Sequence, residues 1–319
     1  MGVLCNLCDT SVGYRRSGLK GKCSTCSDSV AKGWLVTGGL LCFLAVLIIM
    51  WVVSSAAGRA ATLMTMFKVA VGSLQVLGQL DFTLDIQWPG VFGWFIRLLK
   101  LLSFDLLSFL NFGCVVDYDF YDKLAFATML IPILLLVVAG IYTVRKGGTE
   151  GMGDRAAKMA QFSTFLCYPF VSQTCFQTFS CRQLSEAESY LDVDYQIGCH
   201  EDGYQRFRNT VGLLGIFVFP IGIPVLSLLL LLKNNSDIRA NGPARDRYEF
   251  LVADYQPRYY FWDCIEMLRK VTITGLLIFV SRGTFFQLTV TTCSCICFLG
   301  LAAWFQPYES PAVNLFKVS

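Results

Sequence analysis

Stretches of about twenty mostly apolar residues recur along this chain, and nothing else in it restricts the fold as much. The clearest are residues 34–53, 124–144, 211–232, 271–280 with their flanks, and 285–305. Two weaker ones are 61–80, which carries Lys68 and Gln75, and 160–179, which carries Cys167, Pro169 and Gln173. Hydrocarbon offers no water to a bare backbone, so each such stretch reads as a membrane-crossing helix. Composition agrees. Hydrophobic residues make up 55% of the 319, and charged residues only 15%, against roughly 25% in soluble domains. A globule of this size could not hide so much apolar surface. Sparse, nearly balanced charge, 26 Lys+Arg against 23 Asp+Glu, excludes a disordered, collagen-like or nucleic-acid-binding chain. The expected fold is an all-α, multi-pass integral membrane protein of about seven transmembrane helices.

Residues 88–110 are apolar too, but Arg97, Lys100 and Asp105 interrupt them. They read as an amphipathic or re-entrant element at the interface rather than an eighth crossing. Loop charge sets the orientation. With the N-terminus extracellular or lumenal, the inner loops hold eleven basic residues: Arg59, Arg145, Lys146, Arg155, Lys158, Lys233, Arg239, Arg245, Arg247, Arg258 and Lys317. The outer loops hold seven, together with most of the acids. The stub before residue 34 runs against this, with Arg15, Arg16, Lys20, Lys22 and Lys32 all outside. The sequon at Asn234 then falls on the inner side, where sugar should be absent.

Cysteine usage divides the chain into residues 1–33, the end of a cysteine-rich module, and 34–319, the transmembrane domain. Cys5, Cys8, Cys23 and Cys26 form two CxxC pairs. Four thiolates at this spacing fit tetrahedral zinc, and equally two disulfides in a small module. A cytosolic N-terminus would favour zinc; an outer one favours disulfides. No apolar run of signal length precedes these cysteines, so a longer precursor is expected. Cys114, Cys181 and Cys199 fall in outer loops, where Cys181–Cys199 is the first choice of pairing and Cys114 a competing partner. The remaining cysteines read as small apolar packing residues.

Several segments carry a recognisable wording: FKVAVGSLQVLGQL, DIQWPGVF and FDLLSF in the first half, then YLDVDYQIGCHEDGYQRFR, FVFPIGIPVLSLLLLLKN, YEFLVADYQPRYYFWDCIEMLRKVTITGLLIF and WFQPYESPAVNL. Their order resembles the transmembrane region of the TRP-like membrane proteins of algae, oomycetes and other protists, distantly similar to the fungal TRP and flavin-carrier family. The stub GVLCNLCDTSVGYRRSGLKGKCSTC resembles the last repeat of an EGF-like or growth-factor-receptor-type stalk. The resemblance implies a cation channel or membrane sensor with an extracellular cysteine-rich region, continuing beyond residue 319. Membrane lipids and further subunits, like or unlike, are the implied partners, with no cofactor. The sequence departs from a channel in lacking a TVGYG-like filter or acidic pore ring, and the turn SRGTFFQ is too short for a pore helix. A non-conducting anchor or structural subunit is therefore the competing expectation.

Three groups of polar or helix-breaking residues stand out. Trp262, Asp263, Glu266, Arg269 and Lys270 open one helix behind an aromatic run, with Glu266 able to pair at i+3 or i+4. They read either as a gating or coupling element, which Asp254 and Arg258 could join, or as an aromatic belt with snorkelling charges. Lys68, Gln75 and Gln79 share a helix face that should point into the bundle, although Lys68 is near enough to the inner end to snorkel. Pro220, Gly222 and Pro224 must loosen a helical ladder and free carbonyls at membrane depth, as a hinge, an ion site or a packing kink. An enzyme is not expected. His200 is the sole histidine, and no nucleophile–base or metal set can be assembled.

Overall fold

The computed structural model describes residues 14–16, 23–25, 37, 61–84, 89–102, 118–146, 152–185 and 188–318. Cys5, Cys8, Cys26, Cys114 and the apolar stretch at 34–53, apart from Thr37, lie outside them. Strands β1 (Tyr14–Arg16) and β2 (Cys23–Thr25) pair antiparallel, Arg16 opposite Cys23. The rest is mostly helix. In chain order come α1 (Ala61–Leu84), α2 (Gly90–Leu102), α3 (Phe120–Lys146) and α4 (Met152–Gln177). A three-stranded antiparallel meander follows, with β3 (Cys181–Gln183), β4 (Ser189–Leu191) and β5 (Asp194–Gly198) in that order. The long helix α5 (Asp202–Lys233) leads to three short turns, α6 (Asn235–Arg239), α7 (Pro243–Arg247) and α8 (Glu249–Val252). Helices α9 (Trp262–Thr274), α10 (Phe285–Phe305) and α11 (Pro311–Val318) complete the chain.

Among the described residues, α5 and α10 are the two helices long and apolar enough to cross a membrane. Their apolar side chains point outward. Leu214, Phe217, Leu226 and Leu229 on α5 are exposed, as are Phe285, Phe286, Ile296 and Trp304 on α10. Polar groups lie inside: Gln75, Gln79, Thr83, Gln173, Thr174, Asp263, Lys270, Thr274 and Gln287 are all buried. This inverts the usual partition of a water-soluble protein. Helices α1, α3 and α4 pack around a core that includes Leu124, Phe165, Phe170 and Val171.

Within 88–110 the described residues form α2, whose Ile96 and Leu99 are buried where it packs on α1; residues 103–110 lie outside the described residues. A Cβ at Gly78 would lie 3.0 Å from Leu99 Cβ and 3.1 Å from its backbone, so the two helices approach closely there. The expected stretch 271–280 begins nine residues earlier, at Trp262. It also breaks at Gly275, after which Leu276–Phe279 form a 3-10 turn. The charged stretch from Trp262 to Lys270, read from sequence as opening one helix, forms its first turns.

Contacts sort the connections into two ends. One end gathers Phe82, Phe120, the meander and the 281–284 turn, through Arg282 with Asp192 and through Phe120 with Asp194. The other gathers Lys68, Lys158, residues 247–263 and residues 306–317.

Candidate functional site

Where α1, α9 and α11 meet, three carboxylates and four cations come together. Lys68 Nζ donates to the Phe250 carbonyl at 2.7 Å and pairs with Asp254 at 3.0 Å and Asp263 at 3.1 Å. The same ammonium lies 4.2 Å from the centre of the Phe250 ring. Thr65 Oγ1 donates to Asp254 at 2.6 Å, and the Tyr255 hydroxyl to Asp263 at 3.3 Å. Glu266 accepts from Arg269 at 2.9 Å and from Lys317 at 3.0 Å. Lys270, only 4% exposed, donates to Gln75 Oε1 at 3.4 Å and sits 3.8 Å from the Phe165 ring centre. Gly72 admits it: a Cβ there would lie 3.3 Å from Lys270 Cε. A cavity of about 20 Å³ remains between these groups, room for a single water.

Burial shifts the groups at the rim of this cluster. Tyr255 and Tyr308 are pushed well above the ordinary phenol value, first by burial and then by each other or by the nearby acids. Burial holds Lys317 below the ordinary lysine value, and the Glu266 carboxylate opposes it.

Four of the five coupling candidates on α9 therefore enter one buried assembly: Asp263, Glu266 and Lys270 through long-range partners, and Arg269 through Glu266 three residues away. Lys68 lies 186 residues from Asp254. Instead of snorkelling, it turns inward onto two carboxylates, and Lys270 is likewise enclosed. Of the two flanking residues considered, Asp254 joins the cluster, whereas Arg258 stacks on the Tyr259 ring at 4.5 Å. Trp262 packs against Phe305 and Tyr259, with its indole N–H unpartnered. Sequence reasoning missed Thr65, Phe165, Phe250, Tyr255, Tyr308 and Lys317. The Lys68 stripe with Gln75 and Gln79, and the charged start of α9 with Asp254, pointed toward the site.

Above the cluster, buried amides and hydroxyls cross-link the helices. Gln75 Nε2 donates to the Leu166 carbonyl at 3.0 Å, and Gln173 Nε2 to the Gln79 carbonyl at 3.0 Å. Thr83 donates to the Thr274 carbonyl at 3.1 Å. Gln287 Nε2 donates to Thr83 and Leu277 carbonyls at 2.7 and 2.8 Å. The far end closes on Arg282, which donates to Asp192, Ser180 and the Phe82 carbonyl and covers the Phe82 ring. A disulfide joins Cys181 to Cys199, Cα atoms 6.4 Å apart, across the meander that presents Asp192. It is the pairing placed first from sequence.

The helix-break residues have a packing explanation. Pro220 lies in a π-helical segment, Phe217–Gly222, where its missing N–H displaces the i→i−4 ladder. Pro224 has no N–H to give the Pro220 carbonyl, and the Tyr168 hydroxyl supplies the bond at 2.9 Å. That freed oxygen is thus satisfied by a neighbouring helix rather than held open for an ion.

No family model, curated protein or solved structure matches this chain.

Proposed function

We propose that this chain is a multi-pass membrane domain of the TRP-like type, a subunit of a cation channel or membrane sensor. Its inner charged cluster couples the 248–263 segment to the spanning helices. The observation that carries this reading is the inverted partition: apolar side chains cover the outer faces of α5 and α10, while buried cations and carboxylates join distant elements inside. Helix α10, at 21 residues, is about 30 Å long and matches a bilayer core. Phe285 and Phe286 lie at one end and Trp304 and Phe305 at the other, where aromatic belts belong. Helices α1, α3 and α4, with 24, 27 and 26 residues, have the length for further crossings, and 34–53 has the composition. With the N-terminus outside, the Lys68 end faces inward and the disulfide meander outward, as the redox difference between compartments favours.

The interior charges of the single bundle are paired with one another around a cavity of about 20 Å³, too small for a conducting path. A cation path built from this chain would run between copies. The second reading is an anchoring or structural subunit without conduction. Its support is the mutual saturation of most interior polar groups around a cavity that admits one water. Imaging the full-length protein in nanodiscs and recording flux from liposomes separates them. Symmetric copies around a hydrated axis, with cation flux, sustain the channel reading. A single copy beside unlike subunits, with no flux, replaces it with the structural one.

A further inference from the structure

The Lys68 ammonium is the terminus of one helix's side chain, but every oxygen that holds it comes from the 250–263 segment. Its three oxygen partners are the Phe250 carbonyl at 2.7 Å, Asp254 at 3.0 Å and Asp263 at 3.1 Å. Three acceptors match the three N–H bonds of a primary ammonium. Aromatic faces surround it as well: Phe250 at 4.2 Å, Phe165 at 5.6 Å and Tyr255 at 5.8 Å. Carboxylates and carbonyl on one side and ring faces on the other form the recognition chemistry of a desolvated alkylammonium. Each carboxylate is oriented by a separate hydroxyl, Asp254 by Thr65 and Asp263 by Tyr255. The cage is thus shaped by groups other than its occupant.

We infer that residues 250–263 form a binding site for a primary alkylammonium, occupied in this conformation by Lys68, and that this occupancy latches the segment onto α1. An unpaired carboxylate pair in this buried position is costly, so emptying the cage releases the segment rather than leaving it docked. The other cations nearby do not substitute for Lys68. Arg269 and Lys317 are held by Glu266, and Lys270 reaches Gln75 and Phe165. The latch lies within one chain and does not depend on conduction.

Docking of the segment is read by chymotrypsin, whose sites include Tyr248, Tyr259, Tyr260 and Phe261, on the purified full chain in detergent. Lys68→Ala removes the ammonium and three methylenes, which n-propylammonium replaces. Cleavage within 248–261 should rise at least about tenfold in Lys68→Ala, the opening expected on losing a buried ion-pair partner. Millimolar n-propylammonium should return it toward the wild-type rate. Tetramethylammonium, which has no N–H, and sodium at the same concentration should not. Wild-type cleavage in Lys68→Ala overturns the latch. Equal rescue by tetramethylammonium or sodium overturns the ammonium geometry. Asp254→Asn is the second variant, used if Lys68→Ala does not purify: it removes one acceptor and should raise the same cleavage, and an unchanged rate there overturns the proposal. Flux is not part of this readout, so its outcome is separate from that of the channel reading.

Discussion

The Tyr168 hydroxyl donates a 2.9 Å hydrogen bond to the Pro220 carbonyl, an acceptor that Pro224 cannot serve through the helical ladder. Tyr168 is 1% exposed on α4, and the carbonyl belongs to α5. One phenol thus repairs the backbone of another helix at the point where two prolines interrupt it. Tyr168→Phe keeps the ring and removes only this donor. It should lower stability in detergent by about 1–2 kcal/mol, read as a fall in thermal midpoint. An unchanged midpoint would mean that the carbonyl finds another donor.

Gly275 separates α9 from its 3-10 extension because Phe176 fills the space a side chain would need. A Cβ there would fall 2.2 Å from Phe176 Cδ2 and 3.0 Å from the Val271 carbonyl oxygen. Phe176 is itself 4% exposed and packed against Phe279. Gly275→Ala should therefore cost about 1–3 kcal/mol, the range for overpacking a filled core. Pairing it with Phe176→Leu should recover part of that loss. If the double variant melts no higher than Gly275→Ala alone, the Phe176 contact is not the cause.

Much of the architecture is legible in the order of residues, and the reason is local. The 285–305 stretch coincides with α10 because a run of apolar residues bounded by a Thr284 cap and a left-handed Gln306 needs no distant partner. Cys181 and Cys199 are close in sequence and flank a polar loop, so their pairing is also local information. The charged cluster is the opposite case. Lys68 meets Asp254 and Asp263, and Glu266 meets Lys317, across separations that no periodicity encodes. Of the cluster's ion pairs only Glu266–Arg269, three residues apart, is local, and that pairing was legible. The FPIGIP break was visible as a break, but whether its carbonyls served an ion or a neighbour depended on where Tyr168 would come to rest.

Arg282 ties three elements at the end of the bundle that carries the meander: the Phe82 carbonyl of α1, Ser180 after α4, and Asp192 in the meander. Asp192 is 1% exposed and also receives Arg182 at 3.2 Å. Arg282→Gln should destabilise the chain by about 1–3 kcal/mol, less than stripping a buried carboxylate of its last partner, because Arg182 still faces Asp192. A double-mutant cycle with Asp192→Asn should give a coupling of the same sign, and additive effects would refute the clamp. Opening the neighbouring disulfide with Cys181→Ser and Cys199→Ser should remove about 2–4 kcal/mol more. Non-reducing peptide mapping of the wild type should recover residues 181 and 199 in one cross-linked fragment.

Tyr255 and Tyr308 give the cluster a signature at alkaline pH. Their rings stack with centres 5.1 Å apart, and the two residues form an isolated β-bridge that docks the segment after α10. Burial raises both phenols well above the ordinary phenol value, and the Asp254, Asp263 and Glu266 carboxylates add to the shift. The unfolded chain releases these protons near pH 10, while the folded chain retains them. Their contribution to stability is therefore complete below pH 10 and lost as pH rises from there through the folded values. Absorbance of phenolate at 295 nm should show the exposed tyrosines ionising first. These two should follow only as the structure opens, with the buried Tyr168 and Tyr204. In Tyr255→Phe/Tyr308→Phe that late step should shrink by two phenols, and the loss of thermal midpoint above pH 10 should become shallower. A titration in which all thirteen tyrosines ionise together near pH 10, with the fold intact, would show that the pair is open to solvent.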